Sequence, residues 1–390
     1  MHRIESLLQQ RKVLLCLGGG GVGKTTVSAA LALAAALRGR KVALLTIDPA
    51  KRLKDALGMP ELASEPTRVS LDGLGAAHGG ELHAMMLDAK RTFDQLVARF
   101  APSLEAAERI LKNRLYQYVS GALAGSQEYM ALEKLYEIAT ADSYDLLIID
   151  TPPTHHALDF LDAPRRMIDL LGSQALSFLQ RPSLPLLGVG SRVAQVALET
   201  ILRALERLTG MRLLAEVADF VGGFEGMVEG FQSRADAVRR LLRDSGTAAL
   251  MVTSAEPLTV DETISFYWEL DRAGLFVGAV VLNRTVPDGL LARTRGRTNS
   301  IPGELRRKLR EARRELEALA DRDRRMAARL QAAAYAVPIA SVPAFPRDVA
   351  SLEALRDIAE VFTPGIARRG RVVALRGAAS DPAEKLGNRS

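Results

Sequence analysis

Nine consecutive residues, Gly18-Gly19-Gly20-Gly21-Val22-Gly23-Lys24-Thr25-Thr26, carry the clearest chemical potential of the chain. They fit G-x-x-x-x-G-K-[ST], with an apolar run before them and a helical pattern after. Glycines without a Cβ let the backbone wrap closely around phosphate oxygens. Backbone N–H groups from Gly20 to Thr26, with the positive end of the following helix, would form an anion cradle. Lys24 is suited to reach β- and γ-phosphates, and Thr25 to offer a hydroxyl to Mg²⁺. The same stretch also satisfies G-x-G-x-x-G through Gly18, Gly20 and Gly23, the dinucleotide pattern. That pattern does not ask for Lys24-Thr25. A glycine-rich turn with no ligand is the bland alternative.

Acids at two other positions fit a phosphate-transfer site. Asp150 ends the run Leu146-Leu147-Ile148-Ile149 and suits a Mg²⁺-holding carboxylate. A capping or turn aspartate is its structural alternative. Asp48 opens the stretch DPAKRLKDALG, which also contains Asp55. A carboxylate there can orient an attacking water. Pattern alone does not choose between Asp48 and Asp55. His155 and His156 are adjacent, so they do not face one metal, and no HExxH is present.

The elements that must position these groups are short apolar strands alternating with helices. Residues 13–17, 41–47, 82–87, 146–149, 248–253, 277–282 and 337–342 read as strands. Leu305, Leu309, Ala312, Leu316 and Leu319 mark one amphipathic helix in a charged segment, and 352–361 the last helix. The expected fold is α/β: a doubly wound parallel sheet covered on both faces, with ligands at the carboxyl ends of its strands. Two mostly helical stretches, at about 88–143 and 164–245, are expected to leave the sheet and pack on each other as a subdomain. Residues 1–365 then form one domain, and 366–390 a disordered tail.

Composition sets bounds. A chain of 390 residues with 48% hydrophobic content can bury a large core. A net charge of +6 permits an acidic partner or membrane surface without requiring one. Cys16 is the only cysteine, which excludes an intrachain disulfide and suits a reducing cytosol. The N-terminal residues lack a signal-peptide pattern, and no apolar run approaches a ~20-residue span. A cytoplasmic protein, in some states peripheral at a membrane, is expected.

Together the blocks GGGGVGKTT, DPAKRLKDALG and DTPPTHHALDFLDAP resemble the ATPase family of the arsenite-pump ATPase ArsA and the tail-anchored-protein targeting factors. The resemblance runs in block order over about 13–361. It implies Mg²⁺ and ATP as cofactors, ATP hydrolysis, and a dimer, either of two copies or with a related chain. It assigns Asp55 to water activation, Asn283 to adenine contact, and Pro343 and Phe345 to the loop beside the adenine. No NKxD or TKxD element for guanine is found, so ATP is the nucleotide. Two alternatives stand beside this reading: a partitioning-type ATPase on DNA or membrane, and a nucleotide-binding subunit with little catalysis.

The chain departs from the family at Gly19, where relatives carry a lysine that reaches the partner's phosphates. Lys51 and Arg52 stand in place of the switch I histidine and its neighbour, and can supply charge from the same side or simply be solvated. One cysteine excludes the multi-thiolate arsenite site, the zinc-bridging CxxC and a shared iron–sulfur cluster. Apolar stripes between Met167 and Met227, with Met85, Met86, Met211 and Met227, read either as core or as a pliable groove for a hydrophobic helix or membrane-protein client. The Arg-rich segment 293–329 interleaves acids and lacks stacking aromatics, so nucleic acid is not an expected partner.

Overall fold

The computed structural model describes residues 2–47, 51–75, 79–113, 116–117, 127–152, 227–293, 302–346 and 348–365. Its framework is an eight-stranded sheet in the order β3-β4-β2-β5-β1-β6-β7-β8. The strands are β1 (Val13–Leu17), β2 (Lys41–Thr46), β3 (Thr67–Val69), β4 (Glu81–Met86), β5 (Leu146–Asp150), β6 (Thr247–Ser254), β7 (Val277–Thr285) and β8 (Ile339–Pro343). All pairings are parallel except β3 with β4. The expected α/β parallel sheet is therefore present, with a short antiparallel strand added at one edge. The three residues of β3 are too few and too polar for the alternation that marks a strand in sequence.

The central strands are continuous apolar runs because helices cover both faces. Along β1 the pleat sends Val13, Leu15 and Leu17 into one core layer, and Leu14 and Cys16 into the other. The second layer is closed by α1 (His2–Gln10), α2 (Lys24–Leu37), α3 (Lys51–Ala56) and, after β8, Leu352–Phe362. Helix α2, KTTVSAALALAAAL, is apolar nearly all round and buries all but Thr25 and Thr26 of its residues. Its alanines let the sheet and the C-terminal helix approach it closely. The apolar run at 29–37 is thus a buried helix, and among the described residues no helix is long and apolar enough to cross a membrane.

The first layer is covered by α4 (Ala89–Phe100), α5 (Leu104–Lys112), α6 (Gln127–Thr140), α7 (Val228–Arg243) and α8 (Pro257–Arg272). Helices from the two insertions do pack on each other. Phe231 meets Phe93 and Phe100, with ring centroids at 6.3 and 5.4 Å. Arg234 Nε donates to Glu133 Oε2 at 2.7 Å, both side chains buried, and the guanidinium lies 3.9 Å over the Tyr136 ring. Burial pushes the Glu133 carboxyl above the usual range, against the pull of Arg234. Phe93, Leu132 and Phe231 belong to the same core layer as apolar residues of β1, β5 and β6. Most of the second insertion, 153–226, and the tail 366–390 lie outside the described residues. So does the groove proposed between Met167 and Met227, except for Met227 itself. Met227 and Met85 are buried at 0% and 1% exposure, so both are core filling rather than groove surface. Met86 is half-buried and packs against the other core layer.

Between β7 and β8 run α9 (Asp288–Arg293) and α10 (Gly303–Ala333). Helix α10 is the amphipathic helix read from the leucine spacing, extended to Ala333. Its second half docks: Ala320, Asp323 and Leu330 are buried, and Asp323 Oδ2 accepts from Val286 N at 2.7 Å. In the first half Leu305 and Leu309 are exposed, at 50% and 42%.

Candidate functional site

The glycine loop leaves β1 at the carboxyl end of the sheet, between β5 and β6. Two glycines there are demanded by geometry. Gly18 has φ 149°, and a Cβ on it would sit 2.2 Å from the Val252 carbonyl oxygen of β6. Gly23 has φ 94°, and its Cβ would sit 2.3 Å from Asn283 Nδ2 of β7. Only glycine takes these angles with such close neighbours. Gly23 is the cap of α2, so the first helical turn, whose N–H groups lack partners within the helix, opens toward the loop.

Lys24 lies within this loop. Its side chain is buried, and Nζ donates to the Gly19 carbonyl at 2.7 Å. The cation therefore spans the loop from its last residues to its second glycine. Thr25 and Thr26 follow on the first helical turn, half-buried. Asp150 ends β5 in register with Cys16 of β1 and Thr46 of β2. It is 1% exposed, and Thr46 Oγ1 donates to its Oδ2 at 3.0 Å. Thr151 Oγ1 donates to the Cys16 carbonyl at 2.8 Å, fixing the chain as it leaves β5 beside the loop. Burial pushes the Cys16 thiol up to about 12, against a hydrogen bond with Ser28 that acts to lower it. At neutral pH Cys16 is a buried thiol, not a thiolate.

Asn283, near the end of β7, touches the loop directly. Its Nδ2 donates to the Val22 carbonyl at 2.8 Å, and its Oδ1 accepts from Arg284 N at 3.0 Å. Arg284 takes φ 60° where the pairing of β7 with β8 slips by one residue. Pro343 pairs with Thr285, and Ala344 N donates to the Thr285 carbonyl at 2.8 Å. Phe345 is half-buried against the α2 side of the core. The structure thus gathers Gly20 to Thr26, Asp150 and Asn283 at neighbouring strand ends, with Pro343 and Phe345 one strand beyond.

Among the described residues, Asp55 makes no hydrogen bond or ion pair with this group. It lies in the last turn of α3, exposed, 3.8 Å from Lys54 Nζ. Leu53, Ala56 and Leu57 anchor α3 on the α2 side of the core. Asp48, His155, His156 and the side chains of Lys51 and Arg52 lie outside the described residues.

Two contributors escape the sequence reading. Thr46 looks like any strand threonine, and only the register of β2 against β5 shows that it holds Asp150. Glu262 lies on α8, a helix the strand-centred reading passes over, although Pro257 at its first turn signals a helix start. Glu262 Oε2 is 3.8 Å from where a Cβ on Gly19 would lie.

Comparison with known proteins agrees with this geometry. A family model described as "Anion-transporting ATPase" matches residues 11–216, just over half of the chain. ATPase BagA of Mycobacterium tuberculosis is 23% identical over 288 residues, covering 72% of this chain and 67% of that protein. ATPase get3 of Aspergillus terreus is 27% identical over 285 residues, covering 72% and 76%. An uncharacterised Streptomyces coelicolor protein, SCO2128, is 30% identical over 278 residues, covering 71% and 63%. With its glycine loop at the carboxyl end of a mainly parallel sheet, the chain belongs to the anion-transporting ATPase family and is a P-loop ATPase.

Proposed function

We propose that the chain binds Mg-ATP at the glycine loop and hydrolyses it as a dimeric switch coupled to a protein or membrane-associated client. The observation that supports this most is the Lys24 ammonium held inside the loop, with Asp150 at the adjoining strand end. In this reading the N–H groups from Gly20 to Thr26 grip the β- and γ-phosphates, and Lys24 exchanges the Gly19 carbonyl for phosphate oxygens. The Thr25 hydroxyl and Asp150 carboxylate are hard oxygen donors of the kind Mg²⁺ takes. The bound ion would neutralise developing phosphate charge. Asp55 orients the attacking water. The Asp55 side chain is exposed, and in this reading α3 acts as a switch segment that carries it to the phosphates. Asp48 is the other carboxylate of this stretch suited to orient that water. Pro343, Phe345 and Asn283 border the base. A cytosolic location follows from this reading, with membrane contact made through the client.

The test is an Asp55→Asn variant measured with ATP by light scattering and by phosphate release. Hydrolysis should fall by roughly 10²-fold or more while an ATP-bound dimer accumulates. Wild-type turnover in the variant would remove Asp55 from the mechanism, and a monomeric mass in saturating ATP would remove the dimer.

The alternative of a nucleotide-binding subunit with little catalysis draws on one observation, the glycine at position 19. It predicts a wild-type rate near background and is tested by the lysine substitution discussed below. Arsenite and antimonite are expected to leave ATP hydrolysis unchanged, because metalloid capture needs several thiolates and the chain has one buried thiol. A metalloid-stimulated rate would overturn this.

A further inference from the structure

We infer that Asn283 is a positioning residue for the phosphate loop, acting on phosphate binding whatever base the nucleotide carries. The inference rests on the proposed reading of the loop as the nucleotide site. It starts from a contact across 261 residues of sequence: Asn283 Nδ2 donates to the Val22 carbonyl at 2.8 Å, and the bond is buried. The chain has no cis peptide among its described residues, so the Val22–Gly23 peptide is trans. In a trans peptide the carbonyl and the next N–H point in opposite directions. Holding the Val22 carbonyl against β7 therefore turns the Gly23 N–H away from β7. Gly23 must also come so close to Asn283 that no side chain fits between them.

The asparagine is itself held in place. Its Oδ1 accepts from Arg284 N at 3.0 Å, which sets the amide orientation and directs Nδ2 at the loop. Arg284 reaches that position with φ 60°, an angle a non-glycine residue takes only when its surroundings impose it. The slip in pairing between β7 and β8 falls at this residue, so the irregularity sits where the strand must present Asn283. Asn283 is 7% exposed. With one N–H and one lone-pair direction committed to the chain, its first task is to fix the loop's backbone.

A base-reading residue and a loop-positioning residue respond differently to a ligand that has no base. The probe is inorganic tripolyphosphate with Mg²⁺, measured by calorimetry beside ATP and GTP on wild type, Asn283→Ala and Asn283→Asp. Aspartate keeps the shape and loses the donor, and a thermal melt on each variant confirms that it is folded. Loss of this buried bond should weaken tripolyphosphate and ATP by the same factor within each variant, roughly five- to tenfold in Asn283→Ala and more in Asn283→Asp, whose carboxylate repels the Val22 carbonyl and the phosphates. The ATP-to-GTP preference should stay unchanged. If ATP weakens while tripolyphosphate does not, or if the ATP-to-GTP ratio collapses, Asn283 reads the base and the inference is overturned. If wild-type protein binds neither ATP nor tripolyphosphate, the reading of the loop as the nucleotide site fails first.

Discussion

Lys24→Ala is expected to lower ATP affinity by about 10²-fold or more and to reduce hydrolysis to background. Lys24 is the buried cation of the loop, and its ammonium already lies against the Gly19 carbonyl. A cation in a partly desolvated cradle interacts with phosphate far more strongly than one in water. Its loss leaves only the backbone donors and the metal ion to balance a triphosphate. The fold should survive, because alanine is the best helix former and position 24 opens α2 rather than filling its core side. Calorimetric titration with ATP, paired with a melting curve, is the measurement. Unchanged affinity in a folded variant would mean that the glycine loop is not where the nucleotide sits.

Gly19→Lys is expected to raise the hydrolysis rate of the proposed dimer by roughly 10²-fold or more. Nothing in the loop requires glycine here: Gly19 lacks a positive φ, and the nearest atoms to a new Cβ are 3.8 and 4.0 Å away. The lysine can therefore be added without strain. One of those neighbours is Glu262 Oε2, so the new ammonium has a carboxylate on its own chain. Two magnitudes decide which effect wins. An exposed ion pair holds a lysine back by at most about 1 kcal/mol, a factor of roughly five. A cation on the transition-state phosphate oxygens is worth ~10³-fold or more. The rate gain should therefore appear in Gly19→Lys alone and grow by up to about fivefold when Glu262→Ala is added. If neither variant exceeds wild type while both dimerise in ATP, the missing charge does not limit turnover.

Much of the fold is legible in sequence because a buried parallel strand must be apolar along its whole length. The runs at 13–17, 41–46 and 146–150 announce themselves in this way, and each ends near a residue suited to chemistry. Strand β3 escapes because three residues are too few to show an alternation, whereas α1 does carry helical spacing in Ile4, Leu7 and Leu8, a signal short enough to pass unread. How the helical stretches sit against the sheet is not legible for a different reason. Apolar stripes on α4, α6 and α7 show that a face is buried, but not whether it is buried by a helix or by a sheet. Here Phe93 and Phe231 meet each other within a core layer that also takes in apolar residues of the sheet.

The candidate site divides along the same line. Gly18 to Thr26 is contiguous, so its chemistry follows from residue type and local conformation: a strand, glycines without a Cβ, then a helix start. Sequence alone determined that stretch, as it determined that Cys16 stands without a second thiol. Tertiary structure alone decided the rest. That Thr46 holds Asp150, that Glu262 faces Gly19, and that Asn283 grips the Val22 carbonyl all depend on strand order and register. Residues that meet across 104 or 261 positions leave no periodic trace, because hydrophobic spacing records only which face of an element is buried. The sheet brings β5, β1, β6 and β7 side by side, and so turns separate strand ends into one site.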